Sequence, residues 1–219
     1  IAIIFCILLY IAGLSYKIIG GALMIVVPLA VVFLFIVVQP DQKLIEPYQR
    51  NRIMAFLNSE DEEYSDAVNQ QENSVMAIGS GQLTGKGLNN NEVASANKGN
   101  FVSENQTDFI FSVAGEELGF IGCVAILLLL LLIIFECIRT SLRAKDMAGK
   151  LICCGVASIV AVQGFINVAV VTKILPNTGT PLPFVSYGLT SMVSLYIGMG
   201  LVLNVGLQRY RTYREVEKS

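Results

Sequence analysis

Phe109–Phe135 reads FIFSVAGEELGFIGCVAILLLLLLIIF. At 1.5 Å per residue it is long enough, as a helix, to cross about 30 Å of hydrocarbon. Its only ionisable groups are Glu116 and Glu117. Three more apolar runs of comparable length follow the same pattern: Ile18–Val38, Leu151–Thr172 and Val185–Leu207. A fifth, Ile1–Leu14, is short and reads as the stump of a longer helix, because the chain opens inside it without a methionine or a signal-peptide pattern. None of the five runs contains lysine or arginine. The expected fold is all-α: a polytopic transmembrane helical bundle of about five spans, with one large loop.

Composition agrees. Hydrophobic residues make up 54% of the 219 and charged residues 15%, against about 25% charged in a soluble domain. Mean hydropathy is +0.63. A disordered chain, a disulfide scaffold and an ordinary soluble globule are all excluded. The formal net charge of −2 offers no basic surface for nucleic acid. With no histidine, a histidine base and a histidine-liganded metal are both absent. Cys6, Cys123, Cys137, Cys153 and Cys154 lie in or at the ends of apolar runs and read as small hydrophobes. No metal motif is visible.

Lysine and arginine in short loops set orientation. Arg139, Arg143, Lys145 and Lys150 lie between the third and fourth runs, and Arg209, Arg211, Arg214 and Lys218 follow the last. Both segments, with Lys17, fall on one side if all five runs span. That predicts a cytoplasmic C-terminus and an extracytoplasmic loop 39–108. The loop holds eleven acidic and five basic residues. Within it, Gln42–Leu57 has the spaced apolar residues of a surface helix, and Ser59–Asn73 reads as solvated acidic loop. The glycine-rich Ala77–Asn90 follows; Gly87 after Lys86 breaks the phosphate-loop pattern, so no nucleotide site is expected.

Ionisable groups in or beside a span are functional candidates. Asp108 has two readings: a helix N-cap or first-turn acid, or a general base at the membrane face. Glu116 and Glu117 would lie about 12–14 Å deeper on a continuous helix, as a polar anchor or in a direct role. Pro176–Ser191, PNTGTPLPFVSYGLTS, is either a rigid corner or a cavity wall. Pro181 and Pro183 disfavour helix at Thr180 and Leu182, so the last helix should not begin before Pro183, with Ser186 and Tyr187 in its first turn.

Four stretches together resemble the SEDS family of peptidoglycan polymerases, of RodA and FtsW type: YQRNRIMAFLN (Tyr48–Asn58), AIGSGQLTGKG (Ala77–Gly87), TDFIFSVAGEELGFIG (Thr107–Gly122) and LPNTGTPLPFVSYGLTS (Leu175–Ser191). They occur in family order, and the wording of the first and last looks closer to RodA. The resemblance implies that residues 1–219 are the C-terminal part of one ten-helix membrane domain in the bacterial cytoplasmic membrane. It implies polymerisation of lipid II into glycan strands at the outer face, with undecaprenyl pyrophosphate leaving, beside a class B penicillin-binding protein. The family's essential aspartate falls on Asp108. Arg50, Arg52 and Lys86 are then candidates for binding pyrophosphate, with amides near Gly79 and Gly81, and Thr107, Ser186 and Tyr187 as further substrate contacts. No cofactor is evident, and a divalent cation bridging pyrophosphate stays compatible with the sequence. The competing classes are a lipid-linked precursor flippase or transporter, and a non-catalytic scaffold of the cell-wall machinery. Polar motifs concentrated on one side favour the enzyme over the transporter.

Overall fold

The computed structural model describes residues 2–15, 17–18, 20–21, 24–26, 28–29, 32, 47–57, 65–88 and 107–217. Among these the structure is helical throughout, without strands. The elements are α1 (Ala2–Ile11), α2 (Pro47–Leu57), α3 (Ser65–Ser80), α4 (Ile110–Leu142), α5 (Met147–Val171) and α6 (Leu189–Glu217). Three are long and apolar enough to cross a membrane: α4, α5 and the Leu189–Gln208 part of α6. The chain is a multi-pass membrane protein. α1 is a shorter apolar helix, as its sequence suggests. The expected span Ile18–Val38 is helical at those residues that are described, and the rest of it lies outside the described residues.

α4 and α5 form an antiparallel pair joined by a short basic turn. Leu130, Val160 and Val170 join them in one apolar cluster with Leu182 and Leu195. A second cluster, Cys137, Cys153, Val156, Ala157 and Val202, sits nearer the turn and brings in α6. The leucine-rich outward faces of α4 remain exposed, with Leu128, Leu129, Leu131 and Leu132 all more than half accessible. That is the surface a lipid-facing helix presents.

Ser59–Asn73 is not all solvated loop. From Ser65 the chain is helical, and α3 runs through to Ser80. Its buried face is Val68, Gln71, Ser74 and Ala77, spaced by three residues. Two of the four are polar, so the stripe escapes a reading by hydropathy. The polar pair has a defined purpose. Gln71 Nε2 donates to the carbonyls of Val170 (3.0 Å) and Leu175 (2.9 Å), and Ser74 Oγ donates to Val171 O at 3.0 Å. A helix leaves its last four carbonyls without partners; α3 satisfies two of them at the end of α5. α2, expected within Gln42–Leu57, rests on α3 through Met54, Ala55 and Val68.

α4 is not one continuous helix. Gly119 has φ 68° and ψ −167°, which breaks it in two. In a regular helix the amides of Phe120 and Ile121 would bond the carbonyls of Glu116 and Glu117. Here the glycine-rich turn after α3 takes both sets of partners. Phe120 N–H donates to Gln82 O (2.9 Å) and Ile121 N–H to Leu83 O (3.2 Å). Lys86 N–H donates to Glu116 O (2.9 Å) and Gly87 N–H to Glu117 O (3.1 Å). Broken backbone inside an apolar span survives only when its polar groups are satisfied by protein. The turn is inserted into the break and satisfies all four.

The break also moves Asp108. A side chain built at Gly164 would lie 3.7 Å from Leu130, while Asn167 bonds the Asp108 carbonyl. Gly164 and Asn167 are about 4.5 Å apart along α5, whereas a straight α4 would separate Asp108 from Leu130 by about 33 Å. The segment before Gly119 therefore turns aside as a unit; Asp108, Glu116 and Glu117 all lie on its side of the break, so their spacing along that segment is unchanged.

Candidate functional site

Asp108 is 8% exposed, beside Asn167, about one helical turn in from the end of α5. Its main chain is fastened by two side chains. Asn167 Nδ2 donates to Asp108 O at 2.7 Å and to Thr180 O at 2.8 Å. Ser186 Oγ donates to Thr107 O and accepts the Leu182 amide at 2.7 Å. Residues 107–108 are thereby tied to residues 180–182, which brings TDFIF and TPLPF into one structure. Asp108 is not an N-cap: Phe109 occupies that position, without a side-chain cap bond.

Gly179 forms the wall next to the carboxylate. Its φ is +66°, and a Cβ there would lie 2.8 Å from Arg52 Nη1 and 3.4 Å from Asp108 Oδ2. The guanidinium and the carboxylate thus face the same bare stretch of backbone. Asn177, itself buried, shapes the turn by accepting the Gly179 amide at 3.0 Å. Beyond Thr180, a mostly apolar groove of about 400 Å³ between α5 and α6 is lined by Val156, Ile159, Pro181 and Leu195, with Gln163, Thr190, Ser191 and Ser194 as its polar members. Gln163 Oε1 is buried there with no hydrogen-bond partner among the described residues.

The other sequence candidates divide. Thr107 is half-buried and contributes its carbonyl to the clamp. Ser186 is 2% exposed, and its hydroxyl is engaged within the protein on both sides. Tyr187 is 80% exposed. Both precede α6 and do not form its first turn, since the helix begins at Leu189. The Arg50 side chain lies outside the described residues. Lys86 belongs to the Gly119 break, where Nζ meets Glu116 Oε1 at 2.9 Å with the carboxylate almost fully buried. The expectation of free amides near Gly79 and Gly81 is corrected by the fold. Gly79 lies within α3, and the Gly81 amide donates to Ile78 O at 3.2 Å. A Cβ on Gly81 would lie 1.9 Å from Gly115 O, so glycine is required there for close backbone packing.

The sequence reading missed Asn167, Gly179, Gln71 and Ser74. Asn167 carried a signal, a polar residue inside an apolar span, but a search limited to ionisable groups passes over it. Among the described residues, no group of three or more histidine, cysteine, aspartate or glutamate side chains gathers to hold a metal ion.

A polytopic helical membrane fold, with TDFIF clamped to TPLPF and a glycine-rich turn plugging a helix break, defines the class. The family described as "Cell cycle protein", FTSW_RODA_SPOVE, matches residues 1–211, and the chain belongs to it. It is similar to stage V sporulation protein E of Bacillus subtilis (strain 168), 40% identical over 167 residues, covering 76% of this chain and 44% of that protein. The probable peptidoglycan glycosyltransferase FtsW of Geobacter metallireducens is 35% identical over 201 residues, covering 90% and 49%. The peptidoglycan glycosyltransferase MrdB of Escherichia coli (strain K12) is 34% identical over 201 residues, covering 92% and 51%. A solved structure, "Structural coordination of polymerization and crosslinking by a peptidoglycan synthase complex", matches with a TM-score of 0.65 and 25% identity, over 93% of this chain and 53% of that one. The chain spans about half the length of the curated relatives it matches. The three identities lie close together, so the leaning toward RodA rests on motif wording.

Proposed function

We propose that this chain supplies the C-terminal spans and the acceptor-activating site of a peptidoglycan glycosyltransferase. The enzyme polymerises lipid II at the outer face of the bacterial cytoplasmic membrane. The observation that carries the reading is the buried Asp108 carboxylate at the wall it shares with the Arg52 guanidinium. Family membership and two relatives named as peptidoglycan glycosyltransferases support it.

Asp108 accepts the proton of the attacking sugar hydroxyl as that oxygen closes on the anomeric carbon of the growing chain. The undecaprenyl pyrophosphate leaving group needs positive charge, and the Arg52 guanidinium lies against the carboxylate wall. Lys86 and Glu116 instead neutralise one another at the helix break, so their role is to hold the fold. The partner is a class B penicillin-binding protein, in line with the synthase complex of the solved neighbour. The lysine and arginine distribution supports a cytoplasmic C-terminus, with residues 39–108 outside.

The test is lipid II polymerisation by the full-length protein with its partner. Asp108→Asn and Asp108→Ala should abolish glycan strands at normal protein levels and normal partner binding. Strands of ordinary length from either variant would remove Asp108 from the chemistry.

A further inference from the structure

We propose that Asn167 is a positioning residue for Asp108: through one side chain it fixes the carboxylate-bearing segment to the loop that walls the site. The inference rests on the reading of Asp108 as the base, and adds a residue and a mode of action to it.

Asn167 is 1% exposed and sits within α5, the best-packed span. Its amide nitrogen faces two carbonyls, Asp108 O at 2.7 Å and Thr180 O at 2.8 Å. An amide nitrogen has two protons, one for each carbonyl. The reverse orientation would set Oδ1 against both oxygens, so the chemistry fixes which atom points where. Oδ1 is buried with no partner among the described residues. That is a cost a merely space-filling residue would not carry, and an apolar side chain of this size would avoid it.

What the bond joins is the informative part. Asp108 and Thr180 come from segments 72 positions apart in sequence. One ends a long loop and the other lies in the turn before α6. Neither belongs to a regular helix: residues 107–109 form a turn, and 177–182 have no helical bonds. α5 is regular through Val171 and serves as the rigid reference. Gly179, the neighbour of Thr180, lies against both Asp108 Oδ2 and Arg52 Nη1. Fixing the Thr180 carbonyl fixes that wall, and fixing the Asp108 carbonyl fixes the carboxylate beside it. Ser186 makes a parallel tie one residue earlier, from Thr107 O to the Leu182 amide. Two ties hold the direction of the segment as well as its position. Reacting atoms need alignment within about an ångström, and a misplacement of that size can cost about 100-fold in rate.

The experiment uses the full-length protein with its partner in proteoliposomes and measures lipid II polymerisation per folded molecule. Asn167→Leu removes both donors at similar volume. It should lower kcat by ~100-fold while leaving KM for lipid II unchanged, because substrate contacts are untouched. Asn167→Ser keeps one donor and should fall between. A side chain that only supports folding would lower the yield of folded protein and leave kcat as in the wild type. Wild-type kcat in Asn167→Leu overturns the proposal. If that variant does not fold, wild-type kcat in Asn167→Ser overturns it equally. A fall confined to KM also overturns it, since positioning acts on the chemical step. Asp108→Asn is run alongside. If it is inactive while the Asn167 variants are normal, only the positioning role fails. If it polymerises normally, the reading of Asp108 fails and the role of Asn167 goes with it.

Discussion

Replacing Gly81 with alanine tests whether the glycine-rich turn is a structural plug. The added Cβ would lie 1.9 Å from Gly115 O and 2.9 Å from its carbonyl carbon. Both are backbone atoms of α4, so no flexible side-chain end can yield. An ordinary contact needs well over 3 Å, and the turn must therefore move away from α4 by more than an ångström. Four hydrogen bonds cross that boundary: from Lys86, Gly87, Phe120 and Ile121. At about 1 kcal/mol each, their loss costs ~4 kcal/mol, before any strain in Gly119. Gly79→Ala is the control. It lies two residues earlier in the same motif, inside α3, with nothing within 4 Å of a new Cβ. Alanine there should be neutral or stabilising by roughly 0.5–1 kcal/mol. Amide exchange read at residues 86, 87, 120 and 121 in the full-length protein is the direct assay. Gly81→Ala should accelerate exchange at all four by about 1000-fold, at 1.4 kcal/mol per factor of ten. Gly79→Ala should leave them protected. Equal protection in the two variants would refute the insertion of the turn into the break.

Lys86→Met should destabilise the protein by about 3 kcal/mol, because it takes the ammonium away from the buried Glu116 carboxylate. Lys86→Met with Glu116→Leu should recover most of that, and a double variant no better than the single in thermal unfolding would contradict the pairing. Ser186→Ala should lower stability by about 1–3 kcal/mol, since it removes both the bond to Thr107 O and the acceptor of the Leu182 amide. Tyr187→Phe, at an 80% exposed position, should leave the melting temperature alone. A cysteine at Glu62 in a cysteine-depleted protein should react with a membrane-impermeant thiol reagent on whole cells; labelling only after permeabilisation would invert the proposed orientation.

The spans of α4, α5 and α6 were legible because their cause is local. Leu127–Leu132 is unbroken leucine, and nothing but a lipid-facing or buried helix accommodates it. The late start of α6 was legible for the same reason, since Pro181 and Pro183 act on their neighbours directly. Asp108 became a candidate mainly through the motif around it. What stayed hidden depends on partners distant in sequence. α3 buries Gln71 and Ser74 because the open end of α5 offers them carbonyls, a fact about residues 170–175 that no window around residue 71 contains.

The same distance explains why the pairing of Glu116 with Lys86 was not legible. GEELG looks like two acids buried in a continuous helix, and GQLTGKG like a loop open to a phosphate. Each reading is reasonable alone. Together they describe one object: a break that needs four backbone partners and one cation, and a turn that supplies all five. Glycine at 81, 85 and 119 is what lets the two backbones meet, since a Cβ at any of them would lie under 2.5 Å from the other strand of the junction. The motif that most resembled a ligand cradle is filled by the protein's own main chain. The wall at Gly179, where Arg52 and Asp108 converge, is the place we propose for the chemistry.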